Sequence, residues 1–258
     1  MTSGAAVRVR RCGGGPSGML ERGASAARIC NYFLGGKDHY LADRVAGERM
    51  LEAAPTIARA ARANRVFLED AVRHLARTGI RQFLDVGCGL PAHDSVADVA
   101  RRVALGCRVA YVDNDPVVTA HARALLATGQ GTVAYGGDLR DPGRMLQHPE
   151  LLRVIDPERP IGVLLLGVLP FLRDEEGPGG IVEELVDLLP DGSRVVVSHI
   201  ERTPEVEEAA AVYAEAGITF RPRGRAELAG MLHGLQDVRG AVDDGLPLLG
   251  FAGRVRRL

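Results

Sequence analysis

The sequence predicts an α/β protein built on a doubly wound, mostly parallel sheet. Three observations carry that reading. From Ile80 onward, short apolar runs of strand length alternate with amphipathic helical stretches, the grammar of repeated βα units. One run, "PIGVLLLGV", is apolar throughout, as a strand buried on both faces must be. The first strand also runs straight into glycines, "FLDVGCGLP", and open sheets of this kind bind ligands at the carboxyl ends of their strands.

Taken in order, residues 1–24 carry arginines but no apolar core, which predicts a flexible tail rather than a secretory signal. Residues 25–78 read as helical. "AARICNYFLGGKDHYLADRVAGERMLEAAP" gives a short helix, a glycine turn and a second helix that ends before Pro55. "TIARAARANRVFLEDAVRHLART" gives a long third helix with Ile57, Ala61, Val66, Phe67, Ala71, Val72 and Leu75 on one face, stopped by Gly79. Residues 79–258 hold the sheet. Strands are predicted in "RQFLDVG", "RVAYVDND", "GTVAYGGDLRD", "PIGVLLLGV" and "SRVVVSHI", with a closing strand or pair in "LPLLGFAGRVRRL". Helices are predicted in "SVADVARRVA", "PVVTAHARALLAT", "GGIVEELVDLLP", "TPEVEEAAAVYAEAG" and "RAELAGMLHGL".

Composition narrows the function classes. A chain of 258 residues with 46% hydrophobic content can bury a real core. Its formal net charge of −1 leaves no basic field for nucleic acid. No apolar run reaches the ~18 residues that a membrane span needs. Cys12, Cys30, Cys88 and Cys107 form no CxxC pair, so no metal site and no disulfide framework is expected, and a reduced cytoplasmic setting fits.

Three strand ends carry the chemistry. In "FLDVGCGLP", Asp85 leads into Gly87 and Gly89, whose missing side chains let a ligand approach the backbone. Cys88 between them reads simply as a small residue. In "YVDNDP", Asp113 ends the next strand, where a carboxylate can accept both hydroxyls of a ribose; Asn114 follows, and Asp115 is expected to cap the helix at Pro116. In "GGDLRDP", Asp138 is placed to accept from an adenine amino group, Leu139 to pack on the ring, and Asp141 to cap a helix. Three acids and a glycine turn, with no basic cluster beside them, describe a pocket for an adenosine without a polyphosphate. That favours S-adenosylmethionine (SAM), whose sulfonium is cationic, over NAD.

The stretches "ARICNYFLGGKDHYLADR", "ARANRVFL", "GIRQFLDVGCGLP", "ARRVALGCRVAYVDNDPVVTAHARALL", "DLRDP", "RPIGVLLLGVLPFL" and "LPDGSRVVVSH" carry a resemblance. From about Ala26 to Leu235 the chain resembles the actinobacterial SAM-dependent methyltransferase family once catalogued as a domain of unknown function. The resemblance implies the class I methyltransferase fold, a seven-stranded Rossmann-like sheet, with an N-terminal helical extension forming a cap over the active site. It implies SAM and S-adenosylhomocysteine (SAH) as cofactor and product, and a small-molecule substrate in actinobacterial secondary metabolism. The chain departs from the family pattern at several polar positions. Cys30, Asn31 and Tyr32 stand for Tyr-Asp-Tyr, His39 for Asn, and Pro170 for a histidine. Ala92, Ser95, Ala97 and Asp98 stand where the family has Thr, Asn, His and Glu. Two alternatives therefore stay open: a methyltransferase fold reused for a non-methylating step such as cyclisation or elimination, with a partner subunit, or a non-catalytic SAM-binding or scaffolding subunit. A homodimer is open as well.

A methyltransferase must align its acceptor for in-line attack and, for some acceptors, remove a proton. Tyr32, Lys37, His39, His93 and His199 are the candidate bases, with His39 offered from the extension and His199 from the end of the fifth strand. Asn64, Arg65 or Arg28 could meet the carboxylate of the methionine moiety, Arg65 bidentately. "GGKD" is not a phosphate loop, since that motif needs GxxxxGK followed by Ser or Thr after a strand. It reads as a tight turn between two helices.

Overall fold

The computed structural model describes residues 23–92, 94–241 and 245–256. The predicted tail up to residue 22, with Cys12, and the candidate base His93 lie outside the described residues.

Three helices precede the sheet. Helix α1 spans Ala26–Phe33 and buries Ile29 and Phe33, which lie one turn apart. The glycine turn follows: Gly35 takes φ +75°, a left-handed conformation open to glycine. At Gly36 a Cβ would stand 2.3 Å from Asn31 Nδ2, so a side chain here would have to displace that of Asn31. Helix α2, Leu41–Ala53, begins where the Tyr40 N–H donates to Asp43 at 2.7 Å. Helix α3, Ile57–Arg77, is 21 residues long. Of its predicted apolar face, Ile57, Val72 and Leu75 are buried, but Val66 is 59% exposed, and Leu68 fills the stripe instead. The reason is that α3 serves two partners. Its first turn packs with α1, and its last turns pack against the sheet, so the buried stripe shifts along the helix.

Seven strands form one sheet in the order β3-β2-β1-β4-β5-β7-β6. Strands β1 (Gln82–Val86), β2 (Arg108–Asp113), β3 (Thr132–Gly136), β4 (Gly162–Leu166) and β5 (Arg194–Ile200) run parallel. The predicted closing segment gives one strand, β7 (Leu248–Arg254), antiparallel to β5 and to β6 (Gln236–Ala241), which lies ahead of that segment and was not predicted. The helix predicted over "RAELAGMLHGL" stops at Met231. Helices α4 (Val96–Val103) and α5 (Pro116–Leu125) pack with α3 on one face of the sheet. Helices α6 (Pro142–Leu146), α7 (Pro149–Leu152), α8 (Pro178–Leu188) and α10 (Arg225–Met231) cover the other. Helix α9 (Pro204–Glu215) joins α1 and α2 in a third apolar cluster. The chain winds outward from β1 in both directions, so β1 and β4 flank the switch point where such sheets open a crevice.

Candidate active site

A cavity of about 560 Å³ opens at the carboxyl ends of the parallel strands. Its floor is the turn after β1. Gly87 and Gly89 take φ +70° and +64°, which a residue with a side chain would adopt only under strain. A Cβ on Gly87 would stand 2.9 Å from Val168 Cγ2, whereas nothing lies within 4 Å of the place where a Cβ on Gly89 would be. Gly89 therefore presents bare backbone to open space. The turn is pinned from the next strand. Asp113, 9% exposed, accepts the Gly89 N–H at 3.0 Å on one carboxylate oxygen and the Asp115 N–H at 2.9 Å on the other. Each oxygen keeps a further lone pair for a ligand. Asp115 caps α5 by accepting the Val117 N–H, and its second oxygen accepts the Ser25 hydroxyl at 3.2 Å.

Asp138 stands at the rim beyond β3. It accepts from Asn114 Nδ2 at 3.2 Å and from the Arg140 backbone and guanidinium at 3.0 and 3.1 Å. Partial burial works against its charge, but these bonds prevail and hold its carboxyl below the usual carboxylate range. Leu139, beside it, is buried and lines the cavity. Arg140 continues to Glu176 at 2.7 Å and to the Phe171 carbonyl, which fastens the rim of β3 to the segment after β4.

The centre holds Asp85, 5% exposed and without a hydrogen bond to any described residue. Burial pushes its carboxyl up to about 7; the nearby Arg65 guanidinium offsets part of that, and Asp113 adds to it. Arg65 itself donates to the Asp94 carbonyl. Asn64 accepts the Ser198 hydroxyl at 2.6 Å through its oxygen, and its amide nitrogen is left for the cavity. Cys88 stays a thiol, because burial and the acids around it push its pKa up.

With this geometry in view, a family model described as S-adenosyl methyltransferase matches residues 19–243. The chain belongs to that family. It is similar at 34% identity to a DUF574 family protein from Streptomyces avermitilis MA-4680, over 90% of this chain and 97% of that one, with a TM-score of 0.84. A candidate methyltransferase of Thermobifida fusca YX is 31% identical over 94% of this chain and 98% of that one, with a TM-score of 0.86. Human N-acetylserotonin methyltransferase, solved in complex with SAM, is 15% identical with a TM-score of 0.51 and shares the fold, over 93% of this chain and 65% of that one. None of the curated proteins matches.

The residues present fit SAM. Asp85 is an unpartnered buried acid, suited to an ammonium group. Asn64 and Arg65 offer donors for a carboxylate, Asp113 has lone pairs for ribose hydroxyls, and the Gly87–Gly89 turn leaves room beside its backbone. The adenosine-side residues read from the sequence, Asp85, Gly87, Gly89, Asp113, Asn114, Asp138 and Leu139, all line this one cavity, and so do Asn64, Arg65 and His199.

The other candidates fall elsewhere. Arg28 is buried in a pair with Asp43 at 2.7 Å and donates again to the Gly23 carbonyl at 2.7 Å, so its guanidinium is engaged inside the cap. Lys37 is exposed on the glycine turn. Tyr32 and His39 pack edge to face with ring centroids 5.2 Å apart, outside the cavity lining. His199 reaches the cavity wall with both nitrogens committed. Nδ1 donates to the Ile200 carbonyl at 2.7 Å, which fixes the tautomer, and bare Nε2 faces Arg223 Nη1 at 3.4 Å. Burial lowers its pKa to about 4 and the Arg223 charge supports that, so it is a neutral structural imidazole.

Four features escaped the sequence reading. Asp43 is fully buried and gathers the Ser25 N–H, Arg28 and the Tyr40 N–H around one carboxylate. Arg223, 1% exposed, ties β5 to the Leu169 and Leu172 carbonyls and to Asp174. Arg140 bridges two rims, and an aromatic wall of Phe171, Tyr213 and Phe220 closes the β4–β5 end of the cavity. Only the aromatic wall had a signal available, in the scarcity of aromatic residues elsewhere: the whole chain has six Phe and five Tyr.

Proposed function

We propose that this protein transfers the methyl group of SAM to a small molecule seated between the glycine turn and the β4–β5 end of the cavity. The observation that carries this is the continuity of the cavity. It runs from the acids at the ends of β1, β2 and β3 to an apolar wall beyond β4 and β5, so one continuous space has room for both reactants. SAM, held by Asp85, Asp113 and the glycine turn, would supply an electrophilic methyl on its sulfonium, with SAH as the leaving group.

What the chain contributes is placement. Asp113 and the glycine turn hold one reactant, the apolar wall holds the other, and α1 with the first half of α3 borders the space between them. Among the described cavity residues no histidine is free to act as a base, which suits an acceptor that needs alignment more than deprotonation. The same observation favours a second reading, a reused fold that binds SAM without methylating. The context we infer is actinobacterial secondary metabolism, in the cytoplasm, on the strength of the family resemblance and the composition. The deciding experiment supplies isotopically methyl-labelled SAM and fractionated small-molecule extracts. Label appearing in one fraction, with SAH released, is the expected result; SAH binding with no label in any fraction would turn the reading to the non-methylating alternative.

A further inference from the structure

The Proposed function leaves the acceptor unnamed, and the β4–β5 end of the cavity has more to say about it. Phe171 follows β4, Tyr213 ends the buried face of α9, and Phe220 lies in the loop that α9 runs into. Tyr213 and Phe220 stand 4.6 Å apart with their planes tilted by 32°, and Phe171 meets Tyr213 edge on at 6.0 Å and 85°. The three rings thus form one contiguous aromatic wall of the cavity. Aromatic rings favour such offset and edge-to-face partners.

Most of the cavity's charges lie at its other end. Asp85, Asp113, Asp115, Asp138 and Arg140 stand at or beyond the ends of β1, β2 and β3, and the charge that reaches toward Cys30 is Arg65, whose guanidinium donates to the Asp94 carbonyl. Two polar groups belong to the aromatic end. Cys30 of α1 lines the cavity with its side chain exposed. Tyr213 is 4% exposed, lines the cavity, and its hydroxyl has no hydrogen bond to a described residue. The ring is buried but the hydroxyl opens onto the cavity, where a ligand that supplies an acceptor can take the bond that water otherwise takes. Burial pushes the Tyr213 pKa up, which keeps it a donor.

We infer that this wall is the acceptor subsite and that it takes a planar, uncharged aromatic molecule whose oxygen accepts a hydrogen bond from the Tyr213 hydroxyl. This rests on the methyl-transfer reading for its biological meaning, but not for its test.

The probe is 2-naphthol, titrated by calorimetry into the whole protein, both free and saturated with SAH. Three relatives of the probe separate the contributions: naphthalene lacks the oxygen, decahydro-2-naphthol lacks the planar rings, and 2-naphthoate carries a charge. The expected result is that 2-naphthol binds in both states and more tightly than all three. In Tyr213→Phe, 2-naphthol weakens about five-fold, the effect of one neutral hydrogen bond, while naphthalene is unchanged. Equal 2-naphthol affinity in Tyr213→Phe and the parent overturns the hydroxyl contact. Displacement of 2-naphthol by SAH puts it in the adenosine half and overturns the subsite, and decahydro-2-naphthol or 2-naphthoate binding as tightly overturns the ligand class. If SAH itself fails to bind, the SAM reading falls, and the titration of the free protein still decides the subsite.

Discussion

At the scale of the residue, Asp85 is the group whose chemistry is least settled by its protein neighbours. A carboxyl raised to about 7 from its ordinary 3.8 is protonated over much of the acid range. A proton on Asp85 removes its attraction for an ammonium group. SAH affinity is therefore expected to fall as pH drops through 7, by up to about ten-fold per unit. Calorimetry across pH 5.5–8.5 checks this, and Asp85→Asn should flatten the profile. The protein without ligand has the opposite slope from this group. Its folded state binds the proton more tightly than its unfolded state, so the stability contributed is fully present below 3.8 and lost as pH rises to about 7.

Asp113 carries a different prediction, because it both holds the turn and faces the ligand. Asp113→Ala should weaken SAH by about ten- to hundred-fold, as expected for charge-assisted bonds, with a small loss of stability. Unchanged affinity would falsify the ribose assignment. Asp113 and the glycines were legible in the sequence because each is a local signal: a strand, its end and the residue that turns the chain. Arg28 was not. In sequence it is a free cation near a pocket; in space it is neutralised by Asp43, and no local pattern announces a pairing across a turn.

At the scale of the element, the cap is organised around that pair. Asp43 binds the start of α1, the middle of α1 and the start of α2 through a single buried carboxylate. Removing one partner of such a pair strands a buried charge, so Asp43→Asn should destabilise the protein by about 3–5 kcal/mol in urea unfolding. Replacing both partners with apolar residues, Arg28→Met with Asp43→Leu, should recover much of that loss. Equal losses in the single and the double variant would show that the shape of the cap, and not its charge balance, sets its stability. The same element corrects the reading of α3. A helical repeat gave a stripe, but a repeat cannot say that one helix has two partners, and Val66 was assigned to a face that the cap and the sheet leave to solvent.

At the scale of the whole molecule, the five parallel strands were readable because each is an apolar run closed by glycine or acid. Strand β6 was not, since "QDVRGA" offers three polar residues and a glycine where an apolar run would have marked a strand, and it is held by its partner. That partner has a consequence for how the protein is made. Strand β7 is the last described strand to leave the ribosome, yet it sits inside the sheet, between β5 and β6. Until it arrives, β5 presents a seven-residue open edge, "RVVVSHI", almost all of which is buried in the finished fold. Unpaired apolar edges recruit other chains. A chain cut after Pro247 should therefore collect in the insoluble fraction instead of yielding a smaller enzyme. A soluble, SAH-binding truncation would show that β5 tolerates an open edge. Arrival of β7 and burial of the β5 edge are thus one event, which gives the nascent chain a vulnerability that its closed sheet conceals.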